Sequence, residues 1–367
     1  MPGKKIGILT LPIKNNYGGI IQLVALYHFL ESKGFHPVWI EKNQWYSPIK
    51  GNVIKLLEKN PLYKIYDPKD FAKIDSLHKQ IRPFLKRHLA NRTRPINNEI
   101  QLKEATNDID AFVVGSDQVW RLEYVKDNYP TYFLDFVAQG KMKIAYAASF
   151  GKDYWEGAEE SIQHISKLLK EFDLVTVRED KGVEVCKNTF GYPNAHHVLD
   201  PTFLPEVSFY EKLITSINLD KKIELFNYVL DPTPNSAQLV EKISAQKNLK
   251  INKIYLNESK ANRTQSALVE NWLAHFYHAD FVVTDSFHGM VFSIIFNKPF
   301  IVFGNKERGL TRFTSLLKLL DLEERLINVN DATDIEQLLN KPIDYTSVNK
   351  KLNEWRVRSA NLLLEKL

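Results

Sequence analysis

The residues best suited to chemistry lie in Thr284-Asp285-Ser286-Phe287-His288-Gly289. The apolar run Phe281 to Val283 before them reads as a buried strand, and Val291 to Phe296 after them as an amphipathic helix. Asp285 and Ser286 offer N-cap oxygens to that helix, which sets His288 in its first turn at the C-terminal end of a strand. Ligands of open α/β sheets gather at such ends. A helix N-terminus there presents backbone N–H groups and partial positive charge, which suits a phosphate. A histidine beside a phosphate can hold charge or move a proton. One that merely caps or packs is the alternative.

Positioning such a histidine takes an ordered sheet, and the chain supplies the pattern for two. Lys5 to Thr10 reads as a parallel strand, Pro12 to Tyr17 and Gly18-Gly19 as a loop, Ile20 to Leu30 as a mostly buried helix, and His36 to Ile40 as the next strand. This β-loop-α-β opening builds doubly wound sheets. Strands resume at Ala111 to Val114, Lys143 to Ala147 and Leu174 to Val177, and His196 to Leu199 with Asp200-Pro201-Thr202 closes the first half. A second alternation has strands at Glu224 to Leu230, Ile251 to Leu256, Phe281 to Val283 and Phe300 to Phe303. Helices near 235–246, 267–277, 286–296 and 310–320 separate them. The expected architecture is α/β: two Rossmann-like domains facing a cleft, GT-B-like, with a C-terminal helix crossing back. The expected division is 1–212, carrying a basic, proline-punctuated helical insertion at about 45–97, then 213–345, then the returning helix 346–367.

A chain of 367 residues is long enough for two domains. Its 44% hydrophobic and 25% charged residues are those of an ordinary soluble globular protein. A single cysteine, Cys186, leaves no intramolecular disulfide and no cysteine-based zinc site, and reads as a small apolar helix residue. No apolar run approaches the ~20 residues of a membrane span, and the first residues run into a strand without a leader pattern, so a cytoplasmic protein is expected. The mild net charge of +5 fits an anionic small substrate or an anionic lipid surface, and nothing resembles a nucleic-acid-binding stripe.

Four segments occur in order: Asn16-Tyr17-Gly18-Gly19-Ile20-Ile21-Gln22, Val114-Gly115-Ser116-Asp117-Gln118-Val119-Trp120, Val175-Thr176-Val177-Arg178-Glu179 and Asp285-Ser286-Phe287-His288-Gly289, followed by Lys298-Pro299-Phe300. This ordered set resembles the polysaccharide pyruvyltransferase family over roughly residues 5 to 320. The resemblance implies a GT-B-like fold and transfer of a pyruvyl group from phosphoenolpyruvate onto two hydroxyls of a saccharide, as a cyclic ketal, with release of phosphate. It implies no cofactor and no metal; phosphoenolpyruvate is the donor substrate.

Under that resemblance His288 is the acid or phosphate ligand. Arg178, at a strand end, suits a carboxylate or phosphate bidentately; a surface pair with Glu179 or Asp180 is the alternative. Asp117 could take the proton of an acceptor hydroxyl, or form an Asx-turn or cap. Ser286, Gly289, Lys306, Arg308 and Arg312 are donor-binding candidates, with Ser286 standing where many family members carry a basic residue. Asn16, Tyr17, Gly18, Gly19, Gln22 and Trp120 are candidates for the acceptor or cleft loop, Trp120 either stacking on a sugar or filling core. Gly18 and Gly19 permit close backbone approach, and without a G-x-G-x-x-G pattern no dinucleotide is indicated.

The expected function is therefore a ketal-forming pyruvyltransferase acting on a surface-polysaccharide precursor. Its acceptor can be lipid-linked, with the basic stretch Lys50 to Lys86 touching the inner membrane face. A nucleotide-sugar glycosyltransferase on the same fold is the alternative, with Glu323 or Glu324 on the ribose; a non-catalytic carbohydrate-binding scaffold is a third reading.

Overall fold

The computed structural model describes residues 3–13, 16–43, 81–219, 221–254, 269–304, 309–330 and 335–367. Two parallel sheets flanked by helices form a two-lobed, Rossmann/GT-B-like arrangement. The first sheet is ordered β2-β1-β3-β4-β5-β6, from β1 (Lys5–Leu9), β2 (His36–Trp39), β3 (Ala111–Val114), β4 (Met142–Ala148), β5 (Leu174–Val177) and β6 (His196–His197). The second is ordered β11-β10-β9-β7-β8, from β7 (Leu225–Tyr228), β8 (Ile251–Lys253), β9 (Phe281–Thr284), β10 (Phe300–Phe303) and β11 (Leu326–Ile327). All pairings are parallel. The strand order reverses between β1 and β3 in one sheet and between β7 and β9 in the other. These are the crevices where open α/β sheets take ligands.

Helices of eight residues or more are numbered α1 (Tyr17–Ser32), α2 (81–88), α3 (Glu159–Leu169), α4 (Asp180–Asn188), α5 (Val207–Ile214), α6 (Pro234–Lys247), α7 (Val269–His278), α8 (Phe287–Ile295), α9 (Thr311–Leu320) and α10 (Tyr345–Leu364). The central strands β3, β9 and β10 read as near-continuous apolar runs because both faces are covered. Ala111 and Val113 enter one core cluster while Phe112 and Val114 enter another. The first cluster also takes Phe226, Val282, Phe300 and Val302 from the second sheet. One apolar core thus runs between the lobes, with α1 inside it. That explains why α1 is buried along nearly its whole length and why every residue of α8 is buried.

Several elements differ from expectation. α1 begins at Tyr17, not near Ile20, because the Asn16 side chain caps it by accepting from Gly19 N (3.0 Å). Gly18 and Gly19 therefore lie in the first helical turn and not in a preceding loop. Within the segment expected as a helical insertion, 81–88 is helical, but the chain beyond it is extended against β2, with Thr93 N donating to Trp39 O and Ile96 N to Glu41 O. Residues 45–80 lie outside the described residues, as does the lipid-facing role expected for most of Lys50 to Lys86.

α10 starts on the second lobe, where the Tyr345 hydroxyl donates to Lys298 O. Farther along, Ser359 Oγ accepts from Leu199 N (3.0 Å), Arg356 pairs with Glu206 (2.8 Å), and Lys4 Nζ donates to Leu367 O. Both ends of the helix are thereby tied, one to each lobe. No helix among the described residues is long and apolar enough to cross a membrane.

Candidate active site

The C-terminal ends of β1, β3, β5, β6 and β9 bring one charged cluster together. Ser286 caps α8 by accepting from Gly289 N (3.4 Å), which fixes His288 in the first turn. Asp285 does not share this capping role. Its two oxygens accept from Leu230 N (2.7 Å) and Asp231 N (2.9 Å), tying the ends of β7 and β9 across their crevice. Gly289 is required at close quarters, since a Cβ there would stand 2.3 Å from Thr284 Oγ1.

His288 is buried, with Nε2 3.7 Å from Asp200 Oδ2. That is within ion-pair reach but too long for a hydrogen bond, and Nε2 has no hydrogen-bond partner. Its ring lies against the first turn of α1, where a Cβ on Gly18 would fall 2.0 Å from His288 Nδ1. Arg178 follows β5, fully enclosed, and donates through Nη1 to Asp200 Oδ2 (2.7 Å), with Nη2 3.5 Å from Asp117 Oδ1. Its partner is thus Asp200 and not the adjacent Glu179 or Asp180. Arg178 Nε and Nη2 have no hydrogen-bond partner.

Asp200 sits at the hub. Oδ1 accepts from Thr202 N (3.0 Å) and Thr202 Oγ1 (2.8 Å), while Oδ2 also accepts from Ser116 Oγ (3.2 Å). Burial alone would raise its pKa, but His288, Arg178 and the Thr202 N–H together hold it well below the usual carboxylate range. Burial lowers the Arg178 pKa, yet Asp200, Asp117 and Glu179 outweigh this and leave it raised. Both groups are charged at neutral pH.

Asp117 follows β3 in a left-handed conformation (φ 65°) that aspartate tolerates. Its Oδ2 accepts from Asn16 Nδ2 (2.9 Å), so the residue that caps α1 also orients this carboxylate. Gln22 bridges the same region: its Oε1 accepts from Ser116 N (2.9 Å), and its Nε2 donates to Thr10 Oγ1 (3.1 Å) and Gly19 O (2.9 Å). Asp117, Asn16 and Gly19 line a shallow pocket with Thr10, Pro12 and Ile13.

The second lobe also contributes Arg312, at the start of α9. The Phe287 ring carries Arg178 at 4.5 Å and Arg312 at 5.4 Å from its centroid. Burial and the neighbouring Arg178 lower the Arg312 pKa to about 10, which leaves it charged at neutral pH. Beneath it, Glu179 Oε1 accepts from Ser149 Oγ (2.8 Å) and Gly151 N (3.0 Å). Burial pushes the Glu179 pKa up against the pull of Arg178.

Of the residues singled out in the sequence, His288, Asp117, Arg178, Ser286, Asn16, Gly18, Gly19 and Gln22 meet in this cluster or its immediate support, and Arg312 reaches it through Phe287. Tyr17 is buried against Trp272, ring centroids 5.8 Å apart. Trp120 is core: it has no exposed surface, stacks on Phe133 at 4.8 Å and donates Nε1 to Tyr132 O (2.9 Å), so no face is open to a sugar. Lys306 and Arg308 lie outside the described residues. Asp200, Ser116 and Thr202 were not singled out in the sequence. The signal for Asp200 was its place at a strand end before Pro201-Thr202.

In fold the chain is similar to Arabidopsis thaliana UGT89C1 complexed with UDP-L-rhamnose, at 11% identity and TM-score 0.52, with 100% of this chain and 99% of that chain covered. It is similar as well to UDP-N-acetylglucosamine 2-epimerase from Rickettsia bellii, at 8% identity and TM-score 0.52, with 99% and 96% covered. At such identities the likeness speaks for the two-lobed fold alone. No curated protein matches the chain. The family model for polysaccharide pyruvyl transferase matches residues 16–307, a span that holds Asn16, Asp117, Arg178, Asp200 and His288. The chain therefore belongs to the polysaccharide pyruvyltransferase family, and it is a pyruvyl-transferring enzyme of polysaccharide biosynthesis.

Proposed function

We propose that the enzyme transfers the pyruvyl group of phosphoenolpyruvate onto two hydroxyls of one sugar in a surface-polysaccharide precursor, forming a cyclic ketal and releasing phosphate. The observation that carries this reading is the meeting of His288, from one lobe, with Arg178 and Asp117, from the other, in one enclosed charged cluster. The unpartnered buried donors Arg178 Nε and Nη2 and His288 Nε2 suit a ligand bearing both carboxylate and phosphate. Arg312, held near by Phe287, adds a second guanidinium where Ser286 supplies no charge.

In the proposed sequence His288 protonates the vinyl C3, leaving an oxocarbenium-like C2 that the surrounding carboxylates stabilise. The first sugar hydroxyl bonds to C2 while Asp117 takes its proton. The second hydroxyl then bonds to C2 as the C2–O bond to phosphate breaks. Of the two hydroxyl protons, one replaces the proton given to the new methyl group and the other leaves with phosphate. Enclosure strengthens each charge interaction and keeps water from the oxocarbenium centre.

The acceptor's lipid linkage and contact with a membrane belong to the same proposal, as does a cytoplasmic location. The direct test is to incubate the purified enzyme with phosphoenolpyruvate and extracted polysaccharide precursors and follow phosphate together with the ketal methyl signal by NMR. Both should rise in step. Phosphate release from phosphoenolpyruvate without a new ketal would refute the reading.

A further inference from the structure

The large apolar side chains exposed among the described residues include two aromatic ones, Tyr124 at 46% and Tyr154 at 53%. Both lie on connections leaving the C-terminal ends of adjacent strands, β3 and β4, the same ends that carry Asp117 and Ser149. A chain of contacts places them in one patch. Arg121 covers one face of Tyr124 (4.7 Å) and pairs with Glu123 (2.5 Å). Glu123 N donates to Glu156 Oε2 (3.4 Å), Glu156 pairs with Lys152 (3.0 Å), and Lys152 Nζ donates to the Tyr154 hydroxyl (3.3 Å).

The patch borders the catalytic cluster. Ser149 N donates to Asp117 O (3.1 Å), and Trp120 N to Ser149 O (3.1 Å), so the two connections are stitched at the base of Asp117. A Cβ on Gly151 would lie 3.3 Å from Arg121 Cδ and 1.9 Å from Gln118 Nε2, which locks the second connection against the first.

Resting on the proposed function, we propose that Tyr124 and Tyr154 form the acceptor subsite, an aromatic platform for pyranose rings of the precursor. Arg121 lies over the Tyr124 ring and Lys152 holds the Tyr154 hydroxyl, so both rings are positioned while about half of each side chain stays exposed, area that suits the apolar C–H face of a sugar. Two-torsion aromatic side chains present that area at low entropic cost. Arg121, Glu123, Lys152 and Glu156 ring the platform with donors and acceptors for hydroxyls, the composition of a saccharide site. A lipid or an apolar peptide would meet four charges around two isolated rings. Trp120, the aromatic in the neighbouring motif, is enclosed and cannot serve.

The test uses saturation-transfer NMR of the full chain with the methyl glycosides of glucose, galactose, mannose, N-acetylglucosamine and N-acetylmannosamine, beside a phosphoenolpyruvate thermal shift. At least one glycoside should give a signal that falls about fivefold or more in Tyr124→Ala/Tyr154→Ala and returns in Tyr124→Phe/Tyr154→Phe, which keeps the rings. The phosphoenolpyruvate shift should be the same in all three proteins. Both side chains are exposed, and unchanged melting temperatures establish that the variants fold. No glycoside signal in the wild type, or one that survives in the double alanine variant, overturns the platform. A signal lost as expected while phosphoenolpyruvate fails to stabilise any of the proteins upholds the saccharide site and sinks the donor assignment instead.

Discussion

His288 owes its place to a missing atom. Gly18 lets the imidazole rest on the first turn of α1, and a methyl group there would overlap Nδ1. Gly18→Ala should normally favour a helix by about 1 kcal/mol, yet here it should displace His288. A shift on the order of 1 Å at a reacting group can cost about 100-fold in rate, so the rate of phosphate release from phosphoenolpyruvate in the presence of acceptor should fall at least ~10-fold. An unaltered rate would show that the ring position does not matter.

Asp200 is the other residue on which the cluster turns. Its folded pKa is depressed, so its contribution is present above the unfolded carboxylate value of ~3.9 and is lost as pH falls below it. Asp200→Asn leaves the enclosed Arg178 charge with the more distant Asp117 and should cost about 3 kcal/mol at pH 7. In urea unfolding, the gap between variant and wild type should hold at pH 5 and narrow below ~pH 4. A gap that is absent at pH 7 would contradict this role for the pair.

At the level of elements, the cluster exists because strand ends from two sheets converge, and the sequence announced most of those ends. Phe281 to Val283, Ala111 to Val114 and Leu174 to Val177 are apolar runs too short for helices, each followed by small or polar residues, and each is a strand. The sequence sets the start of α1 too late because two glycines weaken a helix locally, while the reasons for them lie elsewhere. Gly18 answers to His288, far along the chain, and Gly19 to the side chain of Asn16. Asp200 caps the turn at Pro201 by accepting from Thr202 N, a local role that masks its other one. Its second oxygen, which meets Arg178, depends on β5 and β6 pairing and leaves no local trace. Trp120 is an aromatic in a functional motif, and composition cannot tell a stacking platform from a core plug.

The seam between lobes can be tested with two glycines of the same φ. Gly34 and Gly309 both stand at +84°, but a Cβ on Gly34 meets nothing within 4 Å, whereas one on Gly309 falls 1.9 Å from Gly151 O. Each alanine variant should lose more than about 1 kcal/mol from backbone strain. Gly309→Ala should lose clearly more, because it also parts the two lobes. Equal losses on chemical denaturation would mean that the seam contributes nothing.

The whole molecule is two doubly wound lobes sharing one core, with α1 between them and α10 tied to both. The charged cluster draws on both sides of that seam: Arg178, Asp117 and Asp200 from the first lobe, and His288 and Arg312, with the Phe287 ring beside them, from the second. A ligand bridging these groups must stabilise the folded chain as a unit, in proportion to its occupancy. The measurement that bears most directly on the account is therefore the melting temperature with phosphoenolpyruvate, beside UDP-, GDP- and CDP-sugars, in the wild type and in His288→Gln. Phosphoenolpyruvate alone should raise it in the wild type and leave the variant unmoved. A rise with a nucleotide sugar and none with phosphoenolpyruvate would contradict the account.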